Sequence, residues 1–277
     1  MVKITEPEYI LMKKYIEEHC GIFLEDGKEY LIESRLSDLL IETGSNSFQE
    51  LHFKARTDYT NKLRDRIIDA MTTNETLWFR DESLWSYLRE VAIPSIIDKA
   101  LKTGRARIWS AASSTGQEPY SILMLIDEVA KTKGMLSILD KIEIIATDIS
   151  SSALFLAMAA KYDSMTINRG LPLDKKLKYF TQQKNVWVFD QELKKKVKFK
   201  KFNLQESFIS LGTFDLILLR YVTIYFSSDF KKILYEKIAN ALVPKGTLIL
   251  GATESLRGFT DKFEITYHKN ALVNIKK

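Results

Sequence analysis

The first ninety residues carry apolar positions at helical spacing. In EPEYILMKKYIEEH, Tyr9, Met12 and Ile16 fall on one helical face. KEYLIESRLSDLLIETG repeats the pattern with Tyr30, Leu31, Leu36, Leu39 and Leu40, and ends at Gly44 as a C-cap. SFQELHFKA follows Asn46, which suits an N-cap, and TDYTNKLRDRIIDAMTT carries Leu63, Ile67, Ile68 and Met71. No strand signal interrupts these segments, so they predict a small helical bundle.

From residue 105 the pattern changes. RARIWSAASSTGQEPYSILMLIDEVAKTKG reads as an apolar strand, a loop of small residues and a helix. KIEIIATDISSSALFLAMAAKYD gives a second strand with an acid at its end, then a helix. FDLILLRYVTIYFSSDFKKILYEKIANALVPKG gives a third such unit, with Pro244 and Gly246 as stop signals. TLILGATESL reads as a fourth strand, and FEITYHKNALVNIKK as two more in antiparallel addition. Strand–helix alternation predicts an α/β fold, a mostly parallel sheet with helices on both faces. Residues 162–202 break the alternation. They hold NVWVFD and VKFKKF, two β-rich runs that predict a small inserted antiparallel β-subdomain.

The 277 residues, 45% hydrophobic and 28% charged, suffice for one large domain or two smaller ones. A single cysteine, Cys20, excludes an intrachain disulfide and a cysteine-based zinc site. His19, His52 and His268 lie far apart in sequence, so no metal is expected. The opening residues are charged throughout and lack a signal-peptide core. No run of about 18 apolar residues predicts a membrane span. These features predict a cytoplasmic protein without membrane insertion. Charge is uneven. Residues 1–80 hold 11 Lys/Arg against 15 Asp/Glu, whereas residues 161–201 hold 12 against 4. A local basic patch suits an acidic partner or a solvated face.

Chemistry concentrates at predicted strand ends. WSAASSTGQEPYS, residues 109–121, follows a strand and opens a helix, the place where doubly wound folds bind ligands. Ala111, Ala112, Ser113, Ser114 and Gly116 allow a ligand close to the backbone, but the G-x-G-x-x-G pattern of dinucleotide sites is missing. Glu118 suits either the positive helix end or a cationic ligand group. Asp148, ending IEIIATD, suits ribose hydroxyls, which says nucleoside without saying which. Asn203 fits an adenine edge or a simple turn. Arg220, Tyr221 and Tyr225 fall at the ligand end of the third strand. In TTNETLWFR, residues 72–80, Arg80 follows three apolar residues, and burial there asks for an anionic partner.

Taken in order and spacing, TTNETLWFR, RIWSAASSTGQEPYSI, IIATDIS, KFNL and FDLILLRYVTIYF resemble the CheR family, S-adenosylmethionine-dependent methyltransferases that modify glutamates of chemotaxis receptors. The resemblance runs from about residue 10 to the end of the chain. It implies an N-terminal helical domain (1–72), a linker contributing to the cofactor site (73–90), and a methyltransferase domain (91–277) with residues 162–202 inserted. By position it implies cofactor contact for Asn74, Thr76, Arg80, Glu118, Asp148, Asn203, Leu204, Tyr221 and Val222, and a role near the reacting groups for Arg80 and Tyr225. It also implies a monomer that docks the cytoplasmic helices of receptors, partly through the basic segment 161–201.

There are departures. The family's Arg-Asn-Val is here Arg220-Tyr221-Val222, and its Gly-His-Ser-Glu is Gly251-Ala252-Thr253-Glu254. TQQKNVWVFD is short where members that grip a receptor's C-terminal pentapeptide carry a longer insertion, so the resemblance implies pentapeptide independence. The N-terminal domain, often basic in the family, is here acidic. Three other readings stand beside this one. Tyr221 favours a non-catalytic relative that binds the cofactor or its product as sensor or scaffold. A nicotinamide dehydrogenase is disfavoured by the missing glycines. Nucleic-acid methylation is prompted by the basic segment but lacks an Asn/Asp-Pro-Pro-aromatic run at the third strand end, so no nucleic acid partner is expected.

Overall fold

The computed structural model describes residues 2–277. Four helices open the chain: α1 (Glu6–Cys20), α2 (Glu29–Thr43), α3 (Phe48–Thr57) and α4 (Lys62–Met71). Their apolar faces, including Met12, Ile16, Ile32, Leu36, Phe48, Leu51 and Ile67, bury one another in a core of their own. Thr5 and Glu8 close α1 with a reciprocal capping box, and Gly44 ends α2 in the left-handed conformation expected of it.

Helices α5 (Glu82–Tyr87) and α6 (Ile93–Thr103), joined by a π turn at Leu88–Ala92, lead into the second part. There follow β1 (Ala106–Ala111), α7 (Gln117–Thr132), β2 (Ile142–Asp148), α8 (Ser151–Ala159), β3 (Lys161–Asp163), α9 (Ser164–Asn168), α10 (Leu173–Tyr179), β4 (Phe180–Gln183), β5 (Val186–Phe189), α11 (Gln191–Lys194), β6 (Val197–Lys201), β7 (Phe214–Leu219), α12 (Ser228–Ala241), β8 (Leu242–Leu250), β9 (Phe263–His268) and β10 (Ala271–Lys276).

Seven strands form one sheet in the order β6-β2-β1-β7-β8-β10-β9. The first five are mutually parallel; β10 adds antiparallel to β8, and β9 antiparallel to β10. Alternate side chains enter two cores, as the pleat requires: Ile108, Leu216 and Leu218 on one face, Trp109, Ile217 and Leu219 on the other. The strand order reverses between β1 and β7, which opens a crevice at their carboxyl ends.

The small antiparallel sheet has the order β3-β5-β4, with β4 and β5 joined by Lys184 and Asn185. VKFKK departs from expectation. It is not part of this excursion but forms β6, the edge of the large sheet, parallel to β2 from Ile144↔Val197 to Asp148↔Lys201. A short run with alternating apolar residues suits an edge strand of either sheet, so its sequence does not choose between them.

The linker after α4 is anchored by Trp78. The indole is fully buried, packs edge-on against Tyr162 and Phe180, and donates from Nε1 to the Thr166 carbonyl at 3.2 Å. The anchor is therefore the small subdomain rather than the large sheet alone. Gly170 permits this approach, since a Cβ there would collide with the Trp78 carbonyl.

Candidate functional site

The carboxyl ends of β1, β2 and β7 open into one cleft of about 970 Å³, open solvent at its mouth included. After β1 the backbone turns sharply, with Ala112 at φ 58° and Ser114 at φ 49°, left-handed positions tolerated by small side chains. The turn is held by Asp148 at the end of β2. Its Oδ2 accepts the Ser114 amide at 2.7 Å and its Oδ1 the Ser150 amide at 2.9 Å. Burial raises the Asp148 pKa, opposed by these amides. Each oxygen retains capacity to accept a further hydrogen bond.

The floor is an ion-paired arginine. Arg220, whose side chain is 3% exposed, donates from Nη1 to Glu118 Oε2 at 2.8 Å and from Nη2 to Asp81 Oδ2 at 2.7 Å. Nη2 also reaches the Arg80 carbonyl at 2.7 Å. Burial alone would lower the guanidinium's pKa, but Glu118 and Asp81 raise it. Glu118 Oε1 accepts from Ser110 Oγ at 2.7 Å. Two cleft-lining polar atoms, Arg220 Nε and Ser113 Oγ, are buried with no partner among the described residues. Such orphans are rare in native folds, so each calls for a partner, from ordered water or from a bound ligand.

The turn after β7 is locked by Glu254, a buried acid of the loop after β8. Its carboxylate accepts the amides of Tyr221 (2.7 Å), Val222 (3.1 Å), Thr223 (2.7 Å) and Gly251 (2.8 Å), and the Thr223 hydroxyl (2.7 Å). This holds Tyr221 at φ 56° and places Val222 and Tyr225 along the cleft. Across the mouth, the N-terminal helices meet the same elements. The Phe23 amide donates to the Tyr225 carbonyl at 2.8 Å, and Ile22 bridges to Phe226.

All ten residues singled out in the sequence line this one cleft. Their surroundings bear on the expected alternatives in three cases. Arg80 meets no acid: no hydrogen bond or ion pair joins its guanidinium to another described residue, and it lies 3.3 Å above the Tyr221 ring centroid. Glu118 already holds a protein cation. The Asn203 amide is engaged, its Oδ1 taking the Gln205 amide at 2.9 Å and its Nδ2 donating to the His19 carbonyl at 2.8 Å. Thus Asn203 makes the turn and also ties the N-terminal domain to the sheet. Asn74 reaches Ser150 Oγ at 3.4 Å, while Leu204 is buried at the wall beside Phe202. Thr76 contributes to the same wall.

Sequence reading missed the partnering of Arg220 and the roles of Asp81 and Glu254. An acid three residues after Gly251, at a strand end, was the available signal for Glu254. Among the described residues there is no cluster of three or more His, Cys, Asp or Glu able to hold a metal. No helix among the described residues is long and apolar enough to cross a membrane.

A switch-point cleft with a strand-end acid, a small-residue turn and apolar walls defines a nucleoside-cofactor site on a Rossmann-like sheet. The comparisons narrow it. Residues 74–272 match the model of the CheR methyltransferase SAM-binding domain, and residues 7–72 that of the CheR all-alpha domain. The chain is 40% identical over 260 residues to chemotaxis protein methyltransferase 1 of Pseudomonas aeruginosa, covering 93% of each. It is 41% identical to the chemotaxis protein methyltransferase of Vibrio anguillarum, with 95% of this chain and 94% of that one covered. A further relative, from Borreliella burgdorferi, is 36% identical over 278 residues. The chain belongs to the CheR methyltransferase family, and its cofactor is S-adenosylmethionine. The residues present fit that group: acids for hydroxyl and ammonium functions, an unpaired guanidinium for a carboxylate, and apolar walls at Ile149, Phe202 and Leu204.

Proposed function

We propose that this chain methylates glutamate side chains of chemotaxis receptors, giving methyl esters. The relatives' names support receptor signalling as the context. The observation that carries the reading is Arg80, a guanidinium at the cleft without a protein anion, with Tyr225 lining the same space. Bound S-adenosylmethionine supplies an activated methyl group. The residues then have a positioning task. A glutamate carboxylate is already ionised at neutral pH, its pKa being about 4.3, so no general base is required. Neither His nor Lys lines the cleft. Arg80 meets the cofactor's carboxylate, the incoming glutamate carboxylate, or both in turn through paired N–H donors, and the Tyr225 hydroxyl assists with the glutamate. Asp148 holds ribose hydroxyls, Glu118 the ammonium, Asn74 and Thr76 the linker side, and Asn203, Leu204, Tyr221 and Val222 the adenosine wall.

The unit boundaries follow from the same reading: residues 1–72 as the helical domain, 73–90 as the linker, and 91–277 as the methyltransferase domain. Pentapeptide independence is supported by the two-residue connection between β4 and β5. Docking through the basic segment needs revision. Lys195, Lys196, Lys198 and Lys201 are spent on Glu192, Asp140, Glu143 and Asp65. Lys161, Lys184 and Lys200 are exposed and make no ion pair among the described residues, so they are the better docking charges.

Transfer of labelled methyl to receptor fragments, with base-labile product, tests the reaction. Receptors with and without a C-terminal pentapeptide should be methylated equally, and sedimentation should give a monomer. The scaffold alternative draws on Tyr221. S-adenosylhomocysteine binding by calorimetry without turnover on any receptor would favour it.

A further inference from the structure

We infer that Tyr221 is a positioning residue, an aromatic shelf that holds the Arg80 guanidinium flat while leaving its N–H groups free for a carboxylate. The inference rests on the methyl-transfer reading of the cleft.

Arg80 poses a physical problem. A long side chain on a linker sweeps many rotamers unless something holds it. An acid would hold it but would occupy its donors and neutralise its charge. A ring face holds it through charge and dispersion and leaves the planar N–H edge free. The structure uses the ring: Arg80 Cζ stands 3.3 Å from the Tyr221 centroid.

Tyr221 is built for this place at a conformational cost. Its φ of 56° is one that aromatic residues seldom adopt. The Glu254 carboxylate enforces it by taking the Tyr221 amide and the two that follow. Gly251 leaves room for the ring, since a Cβ there would lie 3.0 Å from Tyr221 Cγ and Cδ1.

The hydroxyl adds a second grip. It donates to Asp81 Oδ2 at 2.6 Å, on the residue after Arg80. Phe79 (φ 48°) and Asp81 (φ 68°) flank Arg80 in the left-handed region, so the linker presents Arg80 from a strained turn. Ring and hydroxyl together hold two successive linker side chains. Burial and the nearby Asp81 raise the phenol's pKa, which keeps the donor protonated.

The test is a double-mutant cycle of Tyr221→Asn and Arg80→Ala, with Tyr221→Phe as the conservative variant. Asparagine tolerates the left-handed turn, so it removes the shelf without adding backbone strain. Affinity for S-adenosylhomocysteine and methyl turnover on receptor are both measured. Tyr221→Asn should lower turnover about tenfold in the wild-type background and by less than about twofold in the Arg80→Ala background, because contacting residues that act as a unit are not additive. Tyr221→Phe should keep turnover within about threefold, since the face that meets the cation remains. A wild type without turnover would sink the functional reading and leave the affinity arm to decide. Non-additivity there of about threefold or more supports the shelf, and smaller non-additivity overturns it. With turnover present, equal losses with and without Arg80, or no loss, overturn it too.

Discussion

Arg220 and Glu118 form an ion pair 2.8 Å long beneath the cleft, the arginine 3% and the acid 12% exposed. Glu118 is therefore half committed to the protein. Its charge offsets Arg220, and it also lines the cleft. Removing one partner of a buried pair costs about 3–5 kcal/mol when nothing else neutralises the other. Asp81 also holds Arg220, so the cost here is smaller. Glu118→Gln should fold, melt a few degrees lower, and bind S-adenosylhomocysteine about ten- to a hundredfold more weakly, the worth of one charge-assisted contact. Calorimetry beside a melting curve separates the two effects. Unchanged affinity with a lower melting temperature would reduce Glu118 to a structural counter-ion.

Arg80→Ala should lower methyl transfer at least about tenfold, because a lost charge-assisted contact to a reacting group is worth roughly 1.5–3 kcal/mol. Its side chain makes no bond to another described residue, so the melting temperature should hardly move. Wild-type turnover in this variant would remove Arg80 from the mechanism.

Asp148 carries two tasks. It caps the Ser114 and Ser150 amides, and it lines the cleft where the proposed reading puts the ribose. Asp148→Ala should therefore lower both the stability of the free protein and its affinity for S-adenosylhomocysteine. The decisive quantity is the rise in melting temperature on adding ligand, which should shrink well beyond the loss seen without ligand. An undiminished rise would mean that Asp148 is only a cap.

The cleft was legible because its parts are local. The turn in WSAASSTGQEPYS, the acid ending IEIIATD and the tyrosines after FDLILL each follow from their place at a strand end. What stayed hidden depends on contacts between distant segments. Arg80 was expected to meet an anion, but the sequence did not show that its neighbour Asp81 goes instead to Arg220 and the Tyr221 hydroxyl. Glu254 lies 33 residues from the Tyr221 amide it fixes, beyond any periodicity. The lysines of VKFKK read as a docking face. Lys198 meets Glu143 only because β6 joins β2 rather than the small sheet, and Lys201 meets Asp65 of the distant α4.

Glu143 gives a pH prediction. Burial pushes its carboxyl up, but hydrogen bonds from Lys198, Arg107 and Arg105 outweigh this and hold it at about 2. A carboxylate whose folded pKa lies below its ordinary value stabilises the fold above that ordinary value. The stabilisation disappears as pH falls from about 4.5 toward the folded value, and it amounts to at most about 3 kcal/mol. Wild type should therefore exceed Glu143→Gln in urea stability at neutral pH, and the gap should narrow steadily on acidification. A gap that stays constant with pH would show that the three cations contribute no net stability through Glu143.

The same pairing decides how receptor docking is tested. Reversing Lys198 would put a negative charge against Glu143, so lost activity there would report a damaged sheet edge. Lys161, Lys184 and Lys200 avoid this, being exposed and without an ion pair among the described residues. Exposed charges act over about one Debye length, about 8 Å at physiological salt, so they speed encounter more than they tighten the complex. Changing the three to Glu should lower kcat/KM for receptor several-fold at low salt while leaving S-adenosylhomocysteine affinity and the melting temperature unchanged. Raising salt should bring wild type down toward the variant, because screening removes what the lysines supply. If wild type and variant respond to salt identically, the lysines merely solvate the surface and docking lies elsewhere.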